Sequence, residues 1–456
     1  MQTPRQGPLC LATCSADSDC RADEGYVCER GACTLPNLAI PEPQIACGGA
    51  KQDVAFKNEE LLGPGQQPSA VAAKPYIAMW ETSAGIASNL VSVRANGGTT
   101  TNTAATDIAA TNIATTNSST ANPAATNGAT TTNTATTNTA SANAASTTPT
   151  PFASIGHDVV VARDATTIYA TWRDSESIQL TSSSDDGASW KQPHAVQADD
   201  GSELGRPFLA AGKKSLFLLY GDGDHGLRVR VSHDHGATFG PGTTALAGAY
   251  GNAVVDDTGA LHIVTINGTS LGGYGSAMQT IEYAVSRDDG ATFTTRVIAT
   301  GERLPYYFAN PAIAIDNVRK WIYIAFPRGG RDVQWDLLVA ASHDAGKTWT
   351  RRAIGDGCAI HLVPNLALDG KTGTLHLAYY STNGGPRFTH ATCEIGAAHC
   401  TEWGAINAQP FGAFTLLSRH APWLGDHEAL FIDSTRTLHA FWTQPSGVFH
   451  ATAKLR

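Results

Sequence analysis

The chain has 456 residues and a formal net charge of −9, with 31 Lys and Arg against 40 Asp and Glu. This acidic balance argues against nucleic acid or an anionic membrane as the main partner and favours a neutral or locally captured ligand. No apolar run approaches the roughly 18 residues that cross a bilayer, and no basic-then-apolar signal segment opens the chain, so we expect any leader to have been removed.

The first 50 residues are rich in cysteine. Six of the nine cysteines lie within the first 47 residues, and this stretch contains few large apolar residues. A segment this short needs cross-links to be stable, so residues 1–50 are interpreted as a disulfide-stapled module. The rival hypothesis, a zinc site, lacks paired CxxC spacing and any His in the segment. Elsewhere, Cys393 and Cys400 could close a local loop, and the partner of Cys358 stays open.

Residues 97–150 form a low-complexity tract of Thr, Ala, Asn and Ser in which Asp107 is the one charged residue. Such a tract has too little apolar mass to fold alone. We therefore predict a disordered or glycosylated surface insertion. An extended Thr/Asn ladder packed on the body is the alternative.

On both sides of the tract a short apolar run ends in an aromatic or similar residue, and apart from the interval that contains the tract these runs recur every 45 to 63 residues. Such a period indicates a repeat architecture, and each copy has the composition of a β-strand. We call these runs the strand motifs. The copies are Tyr76–Trp80, Ile168–Trp172, Leu216–Tyr220, Leu261–Thr265, Trp321–Phe326, Leu375–Tyr379 and Leu438–Trp442.

A second repeated element follows several strand motifs, and it has the form S-x-D-x-G-x-[ST]-[WF]. In such a hairpin turn the Asp accepts hydrogen bonds from backbone amides, the Gly permits positive φ, and the terminal aromatic packs between sheets. We therefore assign a structural role to the four aspartates and to the Cys393 and Cys400 pair. The four octets are Ser183–Trp190, Ser232–Phe239, Ser286–Phe293 and Ser342–Trp349, and their aspartates are Asp185, Asp234, Asp288 and Asp344.

These octets resemble the Asp-box of the BNR repeat, which is found in sialidases and many other secreted propellers. The resemblance covers residues 66–456 and implies an all-β fold, a β-propeller over residues 51–456. Seven four-stranded blades are the first choice and six the second. The N-terminal stretch near Asp53–Phe56 is expected to supply the outer strand of the last blade. The Cys-rich module also resembles the stapled segments that precede propellers in secreted bacterial proteins, so a secreted or cell-surface location is expected.

In a propeller, the residues just before each innermost strand converge on the mouth of the central channel, which is the default site. The octets should lie on the opposite face. Counting back from each strand motif yields polar candidates, and we assign binding of substrate to most of them. The substrate-binding candidates are His157, Arg206, Asn252, Arg303, Asn310, His361 and His427.

The first hypothesis is a carbohydrate-active enzyme, a glycosidase or polysaccharide lyase. Carboxyl groups would act as acid or base, a tyrosine as nucleophile or proton donor, and Arg206 or Arg303 would hold a sugar carboxylate. True sialidase activity is disfavoured because no arginine trio can be assigned. The sequence most similar to the sialidase Phe/Tyr-Arg-Ile-Pro motif is Arg303–Tyr306, and it lies in the middle of the chain. The catalytic candidates are Asp158, Asp426, Glu428 and Tyr306.

Two alternatives stay open. A divalent metal could be held by His157, His361 and His427, although their spacing gives no support. A non-catalytic glycan-binding or adhesion module would stack exposed aromatics on sugar faces. In every case we expect a saccharide or glycoconjugate as partner, no nucleic acid, no membrane span, no firmly predicted cofactor and a monomer.

Overall fold

The computed structural model describes residues 27–29, 32–34, 55–73, 76–82, 85–91, 151–153, 156–174, 177–196, 204–222, 226–248, 250–267, 278–303, 310–329, 335–354, 361–382, 387–410 and 428–456. Within residues 1–50, it describes a hairpin of β1 (Val27–Glu29) and β2 (Ala32–Thr34). The assignment of this segment to a stapled module and of residues 97–150 to an insertion stays a prediction.

The rest of the described chain forms seven four-stranded antiparallel blades. Blade 1 contains β4 (Gln66–Ala72), β5 (Tyr76–Thr82), β6 (Gly85–Val91) and β7 (Pro151–Ala153). Blade 2 contains β8 (His157–Arg163), β9 (Ile168–Arg173), β10 (Ile178–Ser183) and β11 (His194–Val196). Blade 3 contains β12 (Leu204–Ala211), β13 (Leu216–Asp222), β14 (Gly226–Ser232) and β15 (Thr243–Leu246). Blade 4 contains β16 (Tyr250–Val255), β17 (Leu261–Asn267), β18 (Met278–Ser286) and β19 (Thr294–Arg303).

Blade 5 contains β20 (Ala312–Asp316), β21 (Trp321–Gly329), β22 (Trp335–Ser342) and β23 (Thr350–Ile354). Blade 6 contains β24 (His361–Asp369), β25 (Thr374–Ser381), β26 (Arg387–Cys393) and β27 (Cys400–Ala405). Blade 7 contains β28 (Ala429–Ile432), β29 (Thr437–Gln444), β30 (Gly447–Lys454) and, from the N-terminal side, β3 (Lys57–Gly63). One bridging pair, Arg303 with Gly329, joins blades 4 and 5.

The blades form a closed ring. The first strand of each blade contacts the first strand of the next, and β28 contacts β4. The strand β3, which we call the closing strand, pairs with β30 and completes blade 7. The predicted seven-bladed propeller is therefore confirmed. The closing strand begins at Lys57, directly after the stretch predicted for it.

Every strand motif is the second strand of its blade, and it is buried on both faces. In β5, Tyr76 and Trp80 pack in an apolar cluster shared with blade 7, whereas Ile77 and Met79 pack in one shared with blade 2. Successive side chains of a strand point to opposite faces, so a strand between two sheets needs apolar residues throughout. This explains why the motifs lack the polar alternation of a half-exposed strand.

The four octets form the same turn between the third and fourth strands of blades 2 to 5, and we call them the octet turns. In the first, Asp185 Oδ1 accepts the amide of Ser189 at 2.9 Å, and Ser183 Oγ accepts the amide of Gly187 at 2.8 Å. Asp186 and Gly187 both have positive φ, 57° and 87°. The terminal aromatics, Trp190 among them, pack against the apolar clusters between blades.

In blade 6 the corresponding connection is closed by a disulfide between Cys393 and Cys400, as predicted. These residues also face each other in the strand register. A short 3-10 turn, Ile395–Ala397, lies between them. Within the part of the chain that the structure describes, no helix has the length and apolar character needed to span a membrane.

Candidate functional site

The mouth is defined here as the end of the ring at which the inner strands β4, β8, β12, β16, β20, β24 and β28 begin. The register of blade 2 separates it from the octet turns. His157 at the start of β8 pairs with Arg173, whereas Arg163 at its end pairs with Ile168, which pairs with Ser183. The octet that starts at Ser183 therefore lies at the opposite end of the blade.

Four inner strands share a one-residue bulge near the mouth. The register of β4, β8, β12 and β24 shifts by one residue within their first few positions. A bulge leaves the extra residue outside the ladder and re-aims its side chain. In three of these strands a bulge residue has positive φ: Gln67 at 55°, Asp158 at 57° and Val363 at 53°.

Asp158 lies at the centre of the described charged groups of the mouth. Its Oδ1 is 3.4 Å from Nε of Arg206, and its Oδ2 is 3.8 Å from Nε of Arg173. Its side chain is 18% exposed, compared with 5% for Arg206 and 36% for Arg173. Positive charge from two strands thus compensates a carboxylate that solvent can still reach.

Glu81 brings a second carboxylate to the same place. Its Oε1 accepts a hydrogen bond from the bulged amide of Asp158, and its Oε2 is 3.9 Å from Nδ1 of His157. The Glu81 side chain is 7% exposed and that of His157 is 69% exposed. A shielded carboxylate therefore lies between the Asp158 backbone and a solvent-facing imidazole.

Glu428 lies at the start of blade 7 and is buried. Its Oε1 accepts a hydrogen bond from the hydroxyl of Tyr380 at 2.5 Å. Burial, followed by the negative charge of Glu428, raises the pKa of Tyr380 well above its usual value of 10. The phenol is therefore a hydrogen-bond donor at ordinary pH, and Glu428 is held by blade 6.

The other predicted residues are spread over the remaining blades. Asn252 is exposed, and its own Oδ1 accepts the amide of Ala253 at 2.8 Å. Asn310 is half-buried before β20. His361 is buried against Tyr379, with ring centroids 5.1 Å apart. Arg303 ends β19, and Tyr306, Asp426 and His427 lie outside the described residues, so their roles stay predictions.

Four residues of the mouth were not predicted from the sequence, although a simple signal identifies them: Glu81, Arg173, Tyr380 and Thr443. Each is the residue directly after a strand motif, at the mouth end of a second strand. In blades 3, 4 and 5 that position is held by Gly221, Ile266 and Pro327, which have no polar side chain. The polar members of this position therefore lie on four adjacent blades, 6, 7, 1 and 2.

Two other features bear on the alternatives. Among the described residues, no three His, Cys, Asp or Glu side chains form a group suited to hold a metal ion. A cleft of about 360 Å³ lies at the octet end between blades 3 and 4, and its lining includes His233, Asp234 and Asp289. The strand register of blades 3 and 4 places this cleft at the end of the ring opposite the mouth.

Comparisons with known proteins concern the fold. The sequence matches no protein-family model, and no curated protein sequence matches it. Among solved structures, the chain is similar to the Hadza microbial sialidase Hz136, with 13% identity over 66% of each chain and a TM-score of 0.43. It is also similar to an ulvan lyase of polysaccharide lyase family PL25, with 10% identity over 64% of this chain and 83% of that one, and a TM-score of 0.43.

A third similar structure is the sialidase of Trypanosoma rangeli, with 13% identity over 66% of this chain and 54% of that chain, and a TM-score of 0.40. The match thus spans about half of the trypanosomal enzyme and 66% of Hz136. At such identities the likeness concerns the propeller alone.

Proposed function

We propose that the protein is a carbohydrate-active propeller that hydrolyses a glycoside at the mouth, over blades 1 to 3. The observation that carries this proposal is the meeting of two carboxylates, Glu81 and Asp158, in different surroundings. Two arginine side chains face Asp158, whereas Glu81 is shielded from water and faces His157.

Glycoside hydrolysis commonly uses one carboxylic acid and one carboxylate on either side of the scissile bond. Pairs of carboxyl groups in unlike environments divide these roles between them. Asp158, which faces two arginine side chains, is assigned as the base or nucleophile. Glu81, which is shielded from water, is assigned as the proton donor, and the exposed imidazole of His157 lies between it and solvent.

The arginines have separate roles in this proposal. Arg206 is enclosed, with its guanidinium 5.6 Å from the centre of the Phe208 ring, so it holds Asp158 in place. Arg173 is more exposed and can donate hydrogen bonds to sugar hydroxyls while it faces Asp158. Substrate contacts from Asp426, His427 and Tyr306 remain part of the proposal.

The test is hydrolysis of a panel of fluorogenic neutral glycosides, sialosides and uronides by the purified full chain. We expect turnover of at least one class, and we expect Asp158→Asn and Glu81→Gln each to lower kcat by at least about 100-fold. The matched control is Asp257→Asn, which alters an exposed ion pair between Asp257 of blade 4 and Lys320 of blade 5. Turnover that survives both mouth substitutions would refute the assignment.

The second candidate function is saccharide binding without turnover. It is favoured by the ion pairs that Arg206 and Arg173 form with Asp158. A carboxylate whose charge is compensated in this way is well suited to accept hydrogen bonds from a sugar and is a weaker base or nucleophile. Saturable binding on a glycan array, lost in Asp158→Asn and accompanied by no product, would select this function over hydrolysis.

We also propose that the protein is an exported Asp-box propeller. The octet turns and the Cys393–Cys400 disulfide support this proposal, because disulfides persist in oxidising compartments. Mass spectrometry of protein isolated from its native source without reductant should recover the Cys393–Cys400 peptide in its oxidised form. Recovery of both cysteines as free thiols would argue against export.

A further inference from the structure

The mouth contains a hydrogen-bonded series of side chains that crosses the seam, which is the junction where blade 7 meets blade 1. The seam is the place where the ring closes, since blade 7 is completed by the closing strand. We call the series the mouth chain. Its members are Arg206, Gln67, Thr443, Tyr380 and Glu428.

The links of the mouth chain run from blade 3 through blades 1 and 7 to blade 6. Nη2 of Arg206 donates to the side-chain oxygen Oε1 of Gln67 at 3.1 Å. The backbone amide of Gln67 donates to Oγ1 of Thr443 at 3.1 Å. The Thr443 amide donates to the Tyr380 hydroxyl at 3.0 Å. All five members are at least nine-tenths buried, so water competes little for these bonds.

The link between Gln67 and Thr443 has a specific physical reason. The bulge in β4 removes the Gln67 amide from the ladder, and a buried amide without an acceptor is costly. The Thr443 hydroxyl supplies that acceptor from the preceding blade. Glu81 does the same for the bulged amide of Asp158. Equivalent residues after two strand motifs thus fix two successive bulges.

We propose that Thr443 and Gln67 are positioning residues that couple closure of the ring to the placement of Asp158. This inference rests on the proposed function, because it concerns the same carboxylate. Thr443 holds the bulge of β4 in place. The bulge directs the side-chain oxygen Oε1 of Gln67 towards Arg206, and Arg206 in turn fixes the position of Asp158. Neither Thr443 nor Gln67 is assigned a contact with substrate.

The experiment compares Thr443→Val, which keeps the shape and removes the acceptor, with Thr443→Ser, which keeps the hydroxyl. Thr181→Val is the matched control, since Thr181 is a buried threonine of blade 2 that bonds the carbonyl of Lys191 outside the mouth chain. We expect Thr443→Val to lower kcat by on the order of tenfold or more, with a smaller change in KM. Thr443→Ser and Thr181→Val should stay near wild-type activity.

A crystal structure of each variant provides a readout that does not depend on activity. In Thr443→Val, Nε of Arg206 and Oδ1 of Asp158, now 3.4 Å apart, should separate beyond about 4 Å, whereas Thr443→Ser should keep the pair. If Thr443→Val does not fold, Gln67→Met removes the acceptor for Arg206 and should give the same separation. An unchanged pair in whichever of these variants folds would overturn the coupling. Absence of turnover in the wild type would instead refute the proposed function and leave this structural readout in force.

Discussion

At the scale of single residues, the same serine in each octet turn performs one task. Ser183, Ser232, Ser286 and Ser342 each accept the amide of the glycine four residues later at 2.8 Å. They also donate to the octet aspartate. Hydrogen bonds from the hydroxyl and then the amide of Ser189, followed by that from the hydroxyl of Ser183, lower the pKa of Asp185 to about 2. The turns thus keep their charge-assisted hydrogen bonds in moderate acid.

Two adjacent serines allow a test of this role. Ser183 is buried and bonds the Gly187 amide, whereas its neighbour Ser184 is exposed. We expect Ser183→Ala to lower the free energy of unfolding by about 1–3 kcal/mol, because the amide loses its acceptor, and Ser184→Ala to change it by less than about 0.5 kcal/mol. Urea denaturation measures both, and equal effects would argue against the assigned role.

At the scale of elements, the strand motifs were predictable because burial on two faces requires continuous apolar runs. The octets were predictable because their turn needs Ser, Asp and Gly at fixed positions. The mouth was only partly predictable. Asp158 and Arg206 were found by counting back from the motifs, but the bulges that pair them carry no sequence signal.

The reason lies in the bulge residues themselves. A position with left-handed backbone conformation is usually occupied by glycine or asparagine, so it can be predicted from the sequence. Here Gln67 and Val363 adopt that conformation, and valine does so rarely because its branched side chain crowds the backbone. Tertiary contacts such as the one from Thr443 stabilise these bulges, and such contacts cannot be read from local sequence.

A prediction at this scale concerns the disulfide in blade 6. Cys393 and Cys400 enclose a short loop between two strands, with a sequence separation of 7. We expect replacement of both by alanine to lower the free energy of unfolding by about 2 kcal/mol, because the unfolded chain gains freedom. Urea denaturation of the double variant measures the loss. Unchanged stability would indicate that the turn and its apolar contacts suffice to hold the connection.

At the scale of the whole molecule, blades 6 and 7 each contain a buried histidine pair. Nδ1 of His376 is 3.1 Å from Nε2 of His390, and Nδ1 of His439 is 3.2 Å from Nε2 of His450. Burial lowers the pKa of His376 to about 4 and that of His390 well below its usual value. Burial, followed by the charge of His450, lowers the pKa of His439.

The pairs are surrounded by groups of both signs. Asp369 and Arg436 act on His376, and Asp433 accepts from His439. The closing strand contacts one pair through the carboxylate of Glu60 at His450. The ring of Phe56, the residue directly before that strand, contacts the other pair at His390. Both pairs therefore lie against the segment that closes the ring.

The pH dependence follows from these directions. Unfolded histidines titrate near 6.5, so below that pH the unfolded chain binds protons that His376, His390 and His439 exclude in the folded protein, down to about pH 4 for His376. The free energy of unfolding should fall as the pH falls through this range, by up to about 1.4 kcal/mol per pH unit for each such histidine. Urea midpoints at pH 7, 6 and 5 measure the slope.

A pair of variants separates the buried histidines from surface ones. His390→Leu should reduce the slope, because it removes the proton that the buried His390 excludes. His399→Gln, at an exposed position, should leave the slope unchanged. Equal midpoints at pH 7 and pH 5 in the wild type would contradict the effect assigned to the pairs.

The order in which the closing strand and its partner leave the ribosome has a consequence for synthesis. Glu60 and His450, which touch in the finished protein, are 390 positions apart. The early strand must therefore wait without its ladder partner while the residues between it and β30 are translated. During that interval it can be captured by another nascent copy or by a chaperone, so yield should depend on how well that edge is protected until β30 arrives.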